Sequence, residues 1–183
     1  MPSLLGLARL VVVICLASGA VLDAAIGPHQ GKGTGEISLV RQVLHSFRPG
    51  DVMLADALYC NYFLIATLMA AGVDVLFEQN GARITDFRRG HSLGTRDHIV
   101  RWPKPASRPK WMTPEQYERA PEEIALRECT VGRQVLVTTL CEHRRVSKAI
   151  CRGCSHGAGT SSWTCATSRP PPAWTCCAAR RPR

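Results

Sequence analysis

The apolar positions of this chain fall into short blocks set off by glycine, proline and charge, and their spacing predicts alternating strands and helices. "RLVVVICL" (Arg9–Leu16) is continuously apolar and β-branched, the pattern of a strand buried on both faces. "ASGA" supplies a turn and "VLDAAI" (Val21–Ile26) a second strand, so the two form a hairpin. "GPHQGKGTGE" (Gly27–Glu36) reads as a loop leading into a helix, with Thr34 as N-cap and Glu36 in the positive first turn; its spacing is not that of a phosphate loop. "ISLVRQVLHSF" (Ile37–Phe47) places Leu39, Val40, Val43, Leu44 and Phe47 on one helical face, and "RPGD" ends that helix.

"DVMLA" (Asp51–Ala55) predicts a short apolar strand that ends on Asp56. A long apolar helix follows over Leu58–Gly72, with Gly72 in the C′ position, and then a strand over Val73–Gln79. Strand, helix and strand in so short a span make a βαβ unit, which implies a parallel pair and an α/β fold. From Asn80 the runs shorten and alternate, predicting small antiparallel strands, then a proline-rich loop with a helical turn after Thr113. Two more strands lie in "IALRECTV" and "RQVLVTTL". After Ile150 there is no Leu, Ile, Val, Met or Phe, so that stretch cannot build a core.

Composition changes this picture in two places. The 183 residues carry a net charge of +9, of which +5 falls in residues 151–183; the remainder is only mildly basic. Such a charge fits an anionic partner such as nucleic acid, and equally a solvated surface. Five of the nine cysteines also lie in that last stretch, whereas Cys15 and Cys60 sit in apolar runs as small hydrophobes. The first 150 residues therefore read as a protein of a reducing compartment. The N-terminal twenty residues have the apolar run of a secretory leader, but Arg9 interrupts it, and it is too short for a membrane span.

Asp56 is the leading candidate for chemistry. An aspartate that closes an apolar strand of an open α/β sheet, just before a helix, is placed to hold a divalent metal; it is equally placed to cap that helix. The segments "GKGTGE…PGDVMLADALYCNYFLIATLMAAGVDVLFEQ" and "TDFRRG…LGTRDHIVRWPKP" resemble the DDE transposases of bacterial insertion sequences, the group named after insertion sequence 4, over about Leu7–Ala149. The resemblance implies a ribonuclease-H-like α/β core with a β-rich insertion. Here that means a partial catalytic core in residues 1–79, the insertion in 80–143, and a linker with a disordered tail in 144–183.

In that family three carboxylates hold two Mg²⁺ ions, which activate a water or a 3′-hydroxyl for in-line phosphoryl transfer on DNA. Family members act as dimers on DNA. Asp56 matches the second aspartate, although Ala57 stands where the family has arginine. The first aspartate belongs on a strand upstream of Arg9, and Asp23 lies off the motif. The third carboxylate belongs in a helix with the pattern Y-x2-R-x3-E-x6-K, beginning soon after "RRVSKA" (Arg144–Ala149). Arg88, Arg89 and Arg96 are the candidate phosphate contacts, with a solvated β-face as the alternative.

Where that helix is expected stands "CRGCSHGAGTSSWTCATSRPPPAWTCC" (Cys151–Cys177). Its cysteines open with a C-x2-C pair, but they close on adjacent residues and lack the intervening structure of a zinc module. Read one base out of register, permitted codons for this stretch spell F-A-R-R-W-H-V-E-L-D-L-R-D-I-K. That phrase has Arg, Glu and Lys at the family spacing, with the glutamate codon straddling Ser161 and Ser162. The expectation is a truncated, frameshifted transposase with one of three metal ligands, inactive alone, that binds Mg²⁺ weakly and resides in the bacterial cytoplasm at the nucleoid. The rivals are a non-enzymatic basic DNA-binding protein and a secreted cysteine-rich protein.

Overall fold

The computed structural model describes residues 7–31, 35–142 and 146–151, together with the backbone of 175–177. The first two strands, β1 (Ala8–Cys15) and β2 (Val21–Pro28), form the expected antiparallel hairpin, with Leu10 opposite Ile26 and Val12 opposite Ala24. Among the described residues they are covered mainly on one side. Val11, Val13 and Ala25 are buried beneath Leu39 and Val40, whereas Leu10 is 49% exposed and Ile26 71% exposed. The sequence pattern of a doubly buried strand is corrected here: the helices before and after β3 share one side of the sheet, so the other face of the hairpin has little cover among the described residues.

The helix expected over Ile37–Phe47 is shorter. α1 spans Glu36–Val40 and is followed by a 3₁₀ turn at Leu44–Ser46. From Gln42 onward the amides bond back three residues rather than four: Gln42 N to Leu39 O at 3.0 Å and Val43 N to Val40 O at 3.1 Å. This tightening still buries Leu39, Val40, Val43 and Phe47, as the periodicity predicts. Gly35 occupies the N-cap, and Thr34 lies outside the described residues.

β3 (Val52–Ala55) and β4 (Asp74–Glu78) pair in parallel, Val52 opposite Asp74, joined by α2 (Tyr62–Ala70). This is the βαβ unit read from the sequence. α2 begins four residues later than Leu58 because Asn61 caps it, its side chain accepting from Leu64 N at 2.9 Å. The helix is apolar all round because it is covered twice. Its inner side meets the sheet, and Phe63 packs outward edge-on to Trp111 and against Tyr117. Gly72 follows the C-cap of α2 at φ +72, and a Cβ there would meet Pro49 at 3.1 Å, so glycine is required.

The remaining strands are β5 (His91–Gly94), β6 (Asp97–Pro103), β7 (Glu123–Val131) and β8 (Gln134–Thr138), all antiparallel to their neighbours. A short helix, α3 (Pro114–Arg119), lies between β6 and β7. Thr113 and Gln116 close a reciprocal capping box at its start. Thr113→Ala is expected to cost about 1 kcal/mol, read as a lower urea midpoint at unchanged slope.

β8 joins the β-rich segment to β4, so it extends the same sheet rather than forming a second one. A three-residue strand, β9 (Thr175–Cys177), lies antiparallel to β1 and parallel to β3. The full order is β2-β1-β9-β3-β4-β8-β7-β6-β5, a mixed nine-stranded sheet with few helices. The second face of its centre is closed by residues 146–151, where Val146, Ile150 and Cys151 pack on Val52, Leu54 and Cys129. No helix among the described residues is long and apolar enough to cross a membrane.

Candidate metal and nucleic-acid site

β3 carries Asp56 to the C-terminal end of the parallel pair, where the chain leaves the sheet for α2. The carboxylate is exposed, and its Oδ1 accepts from Leu58 N at 2.8 Å. That bond forms an Asx turn, which fixes the side chain at the strand end. Asp56 thus shapes the turn before α2, while Asn61 does the capping. No set of three His, Cys, Asp or Glu side chains is gathered to hold a metal among the described residues. One carboxylate fills a single position of the near-octahedral Mg²⁺ shell, so Asp56 alone would leave the other positions to water or phosphate. Asp23 belongs to a different part of the sheet. It accepts from Ser46 Oγ at 2.6 Å and lies 3.2 Å from His45 Nε2, and the Ser46 bond first of all holds its carboxyl below the usual range.

Beside the Asp56 turn opens a cleft of about 340 Å³, lined by Cys60, Asn61, Asn80, Arg83 and Trp102 among others. It sits where β4 ends and the chain departs toward β5. Arg83 stacks on Trp102, 3.8 Å from the ring centroid, and points Nε at Glu128 Oε1 at 3.5 Å. Burial pushes the Cys60 thiol up to about 11, so it lines the cleft as a neutral hydrophobe.

The three arginines named from the sequence come together beyond this cleft. Asp86 accepts from Arg88 Nε at 3.0 Å and lies 3.6 Å from Arg89 Nε. Both arginine side chains still project into solvent, 91% and 81% exposed. Arg96 stands in the β5–β6 turn at φ +52, stacks 5.3 Å from the Phe87 centroid and donates from Nε to Thr130 Oγ1. Gly90 lets the loop approach so closely that a Cβ there would meet Ile99 O at 2.1 Å. Asp56 is not part of this cluster. Three strands separate β3 from β6, roughly 19 Å at the usual interstrand spacing.

Two buried polar clusters hold the arginine loop and its sheet, and single-sequence reasoning does not find them. On one face His98 Nε2 lies 3.0 Å from Glu128 Oε2, and Trp102 Nε1 donates to Glu128 Oε1 at 2.7 Å. His98 Nδ1 reaches Arg89 O at 2.6 Å, and Phe87 packs on the same imidazole. On the opposite face Arg127 grips Asp97 with two bonds, Nε to Oδ1 at 2.8 Å and Nη2 to Oδ2 at 2.6 Å, and its Nη1 donates to Val146 O. The signal is register. Strand pairing sets His98 opposite Glu128, and Ile99 opposite Arg127, which places Arg127 diagonal to Asp97.

The cysteines Cys15, Cys60, Cys129 and Cys141 are not in disulfides. A thiol hydrogen bond with Cys151, then burial, raises Cys129 far above its ordinary value. Cys154 and Cys165 lie outside the described residues, as does the stretch whose other reading frame spells the third carboxylate. No protein-family profile, curated protein or solved structure matches the chain.

Proposed function

We propose that the chain is a fragment of a DDE transposase, derived from a protein that cuts and joins DNA at insertion-sequence ends with Mg²⁺, and that it is inactive alone. The observation that carries this reading is Asp56, held at the C-terminal end of a buried parallel strand and next to a cleft from which an arginine-bearing loop departs. The mixed α/β sheet is compatible with a ribonuclease-H-like core. Among the described residues, three-residue β9 stands between β1 and β3, where the reading puts a strand of that core. On this reading the protein works in the cytoplasm at the nucleoid.

Incubated with supercoiled plasmid and Mg²⁺, the chain is expected to give no nicking or strand transfer above background, and Asp56→Ala is expected to change nothing. Cleavage by the native chain that Asp56→Ala abolishes would overturn the inactive-fragment reading. The gene's own nucleotides test the second half of the proposal, because the codons of 154–167 must spell the glutamate-bearing helix in the other frame.

The exposure of Arg88 and Arg89 on a pinned loop favours a second reading, in which the chain binds DNA without cutting it. It shares the first reading's surface and differs only in needing no metal.

A further inference from the structure

We propose that the His98–Glu128 pair is a proton-operated latch: it holds the arginine-bearing loop 86–90 on the sheet while the imidazole carries two protons, and releases it when one is lost. Both ring nitrogens face acceptors. Nδ1 lies 2.6 Å from Arg89 O, and Nε2 lies 3.0 Å from Glu128 Oε2. A carbonyl oxygen and a carboxylate only accept, whereas a neutral imidazole has a single N–H. Closing both bonds therefore takes one more proton than a neutral ring carries. Glu128 Oε1 already receives the Trp102 Nε1 hydrogen at 2.7 Å and faces Arg83 Nε at 3.5 Å, so the carboxylate is met by donors and the added proton belongs on the ring. His98 is 1% exposed and Glu128 2%, so solvent is poorly placed to replace a missing hydrogen.

Loss of that proton breaks one particular contact. The hydrogen that remains stays between Nε2 and the carboxylate, because a bond to an ionised acceptor is stronger than one to a carbonyl. Nδ1 then turns a lone pair on Arg89 O, and the loop is pushed from its seat. Phe87, which packs on the imidazole at 4.9 Å between ring centroids, and Gly90, which has no room for a side chain against Ile99 O, leave with it. The charged and titratable neighbours come from several elements. Arg83 reaches Glu128 from the loop after β4, and the Cys60 thiol, held neutral by burial, lies before α2. Arg96 faces the pair from the β5–β6 turn through the Phe87 ring, and Asp86 is engaged by Arg88 and Arg89. Asp97 and Arg127 bind each other on the opposite face of the β6–β7 ladder. The arginines keep their protons at any working pH, so the ring is the group that switches.

The test is limited trypsin digestion of the full chain from about pH 6 to about pH 9, a range that spans the titration of histidine. The bond scored is Arg89–Gly90, whose own carbonyl is the one His98 holds. Its cleavage rate is divided by that of a free peptide of the loop sequence at the same pH. Cleavage requires local opening, so the ratio reports how often the loop leaves the sheet, and in the native chain it is expected to rise about tenfold or more across the range. Glu128→Gln is the decisive variant. Its amide N–H donates to Nε2 and its carbonyl accepts from Trp102, so a neutral His98 keeps its Nδ1–H on Arg89 O and the ratio stays at its acid value throughout. Nitrogen-15 spectra of the histidine-labelled native chain give an independent reading: at the acid end one histidine shows slowly exchanging hydrogens on both ring nitrogens. A ratio flat in the native chain, one that rises as much in Glu128→Gln, or spectra without such a histidine would overturn the proposal. If Glu128→Gln does not fold, the native profile and the spectra decide alone. None of these outcomes involves DNA or metal, so each stands apart from the transposase reading.

Discussion

Arg127→Met is expected to destabilise the protein by about 3–5 kcal/mol, the cost of leaving a buried charge without its partner. Arg127 is 1% exposed and Asp97 7%, and the guanidinium makes both of its parallel bonds to that carboxylate. The same side chain donates to Val146 O, so its loss also frees the segment that closes the second face of the sheet. Domain stabilities of about 5–15 kcal/mol leave little after such a change. Removing both charges by Asp97→Leu with Arg127→Met is expected to restore most of the loss, since no orphaned carboxylate remains. The exposed pair Arg101–Glu123 serves as the comparison: Arg101→Met there is expected to cost less than about 1 kcal/mol. Urea unfolding followed by circular dichroism measures all three. An Arg127→Met variant within about 1 kcal/mol of native would show that water reaches Asp97 and that the pair is not a buried one.

Much of the architecture was legible because period and punctuation agree. The βαβ unit shows in a four-residue apolar strand, an apolar helix stopped by Gly72 and a second apolar strand, and each of these lies close to where the pattern places it. The capping box at Thr113 is a local signal in the same way. Where the reading failed, the deciding information was long-range. Whether Leu10 and Val12 are covered depends on which side of the sheet α1 and α2 take, and no local pattern carries that. The length of α1 depends on a switch to three-residue hydrogen bonding that leaves the buried positions in place.

The candidate site was half legible for a related reason. Asp56 is visible as an acid that ends an apolar strand, and Arg88 and Arg89 as an exposed basic pair. What holds the arginines could not be read, since Glu128 and Arg127 are ordinary charges in an alternating strand until register sets them opposite His98 and diagonal to Asp97. The two pairs divide the work between the faces of one β6–β7 ladder. The His98–Glu128 pair anchors the loop through Arg89 O, and the Asp97–Arg127 pair anchors 146–151. Polar pairs buried on both faces of one ladder also fix its register, because a one-residue slip would separate both pairs and leave their buried polar groups mismatched.

That anchoring makes the arginine surface testable as a unit. Combined Arg88→Ala, Arg89→Ala and Arg96→Gly is expected to lower duplex DNA affinity about tenfold or more and to flatten the salt dependence by about 2–3 in log–log slope, as expected for three lost phosphate contacts. Glycine is the right replacement at position 96, because the φ of +52 there would strain alanine and confound binding with folding. Asp86 gives a change of opposite sign. It pairs with both Arg88 and Arg89, and the Arg88 hydrogen bond above all keeps its carboxyl below the usual range, so it stays charged at neutral pH and offsets part of the local positive charge. Asp86→Asn is therefore expected to strengthen DNA binding modestly and steepen the salt slope by up to about one. Fluorescence anisotropy with a labelled duplex at several salt concentrations measures both effects. If the triple variant keeps the native slope while Asp86→Asn leaves affinity untouched, these arginines are a solvated surface and the DNA-binding reading of this loop fails.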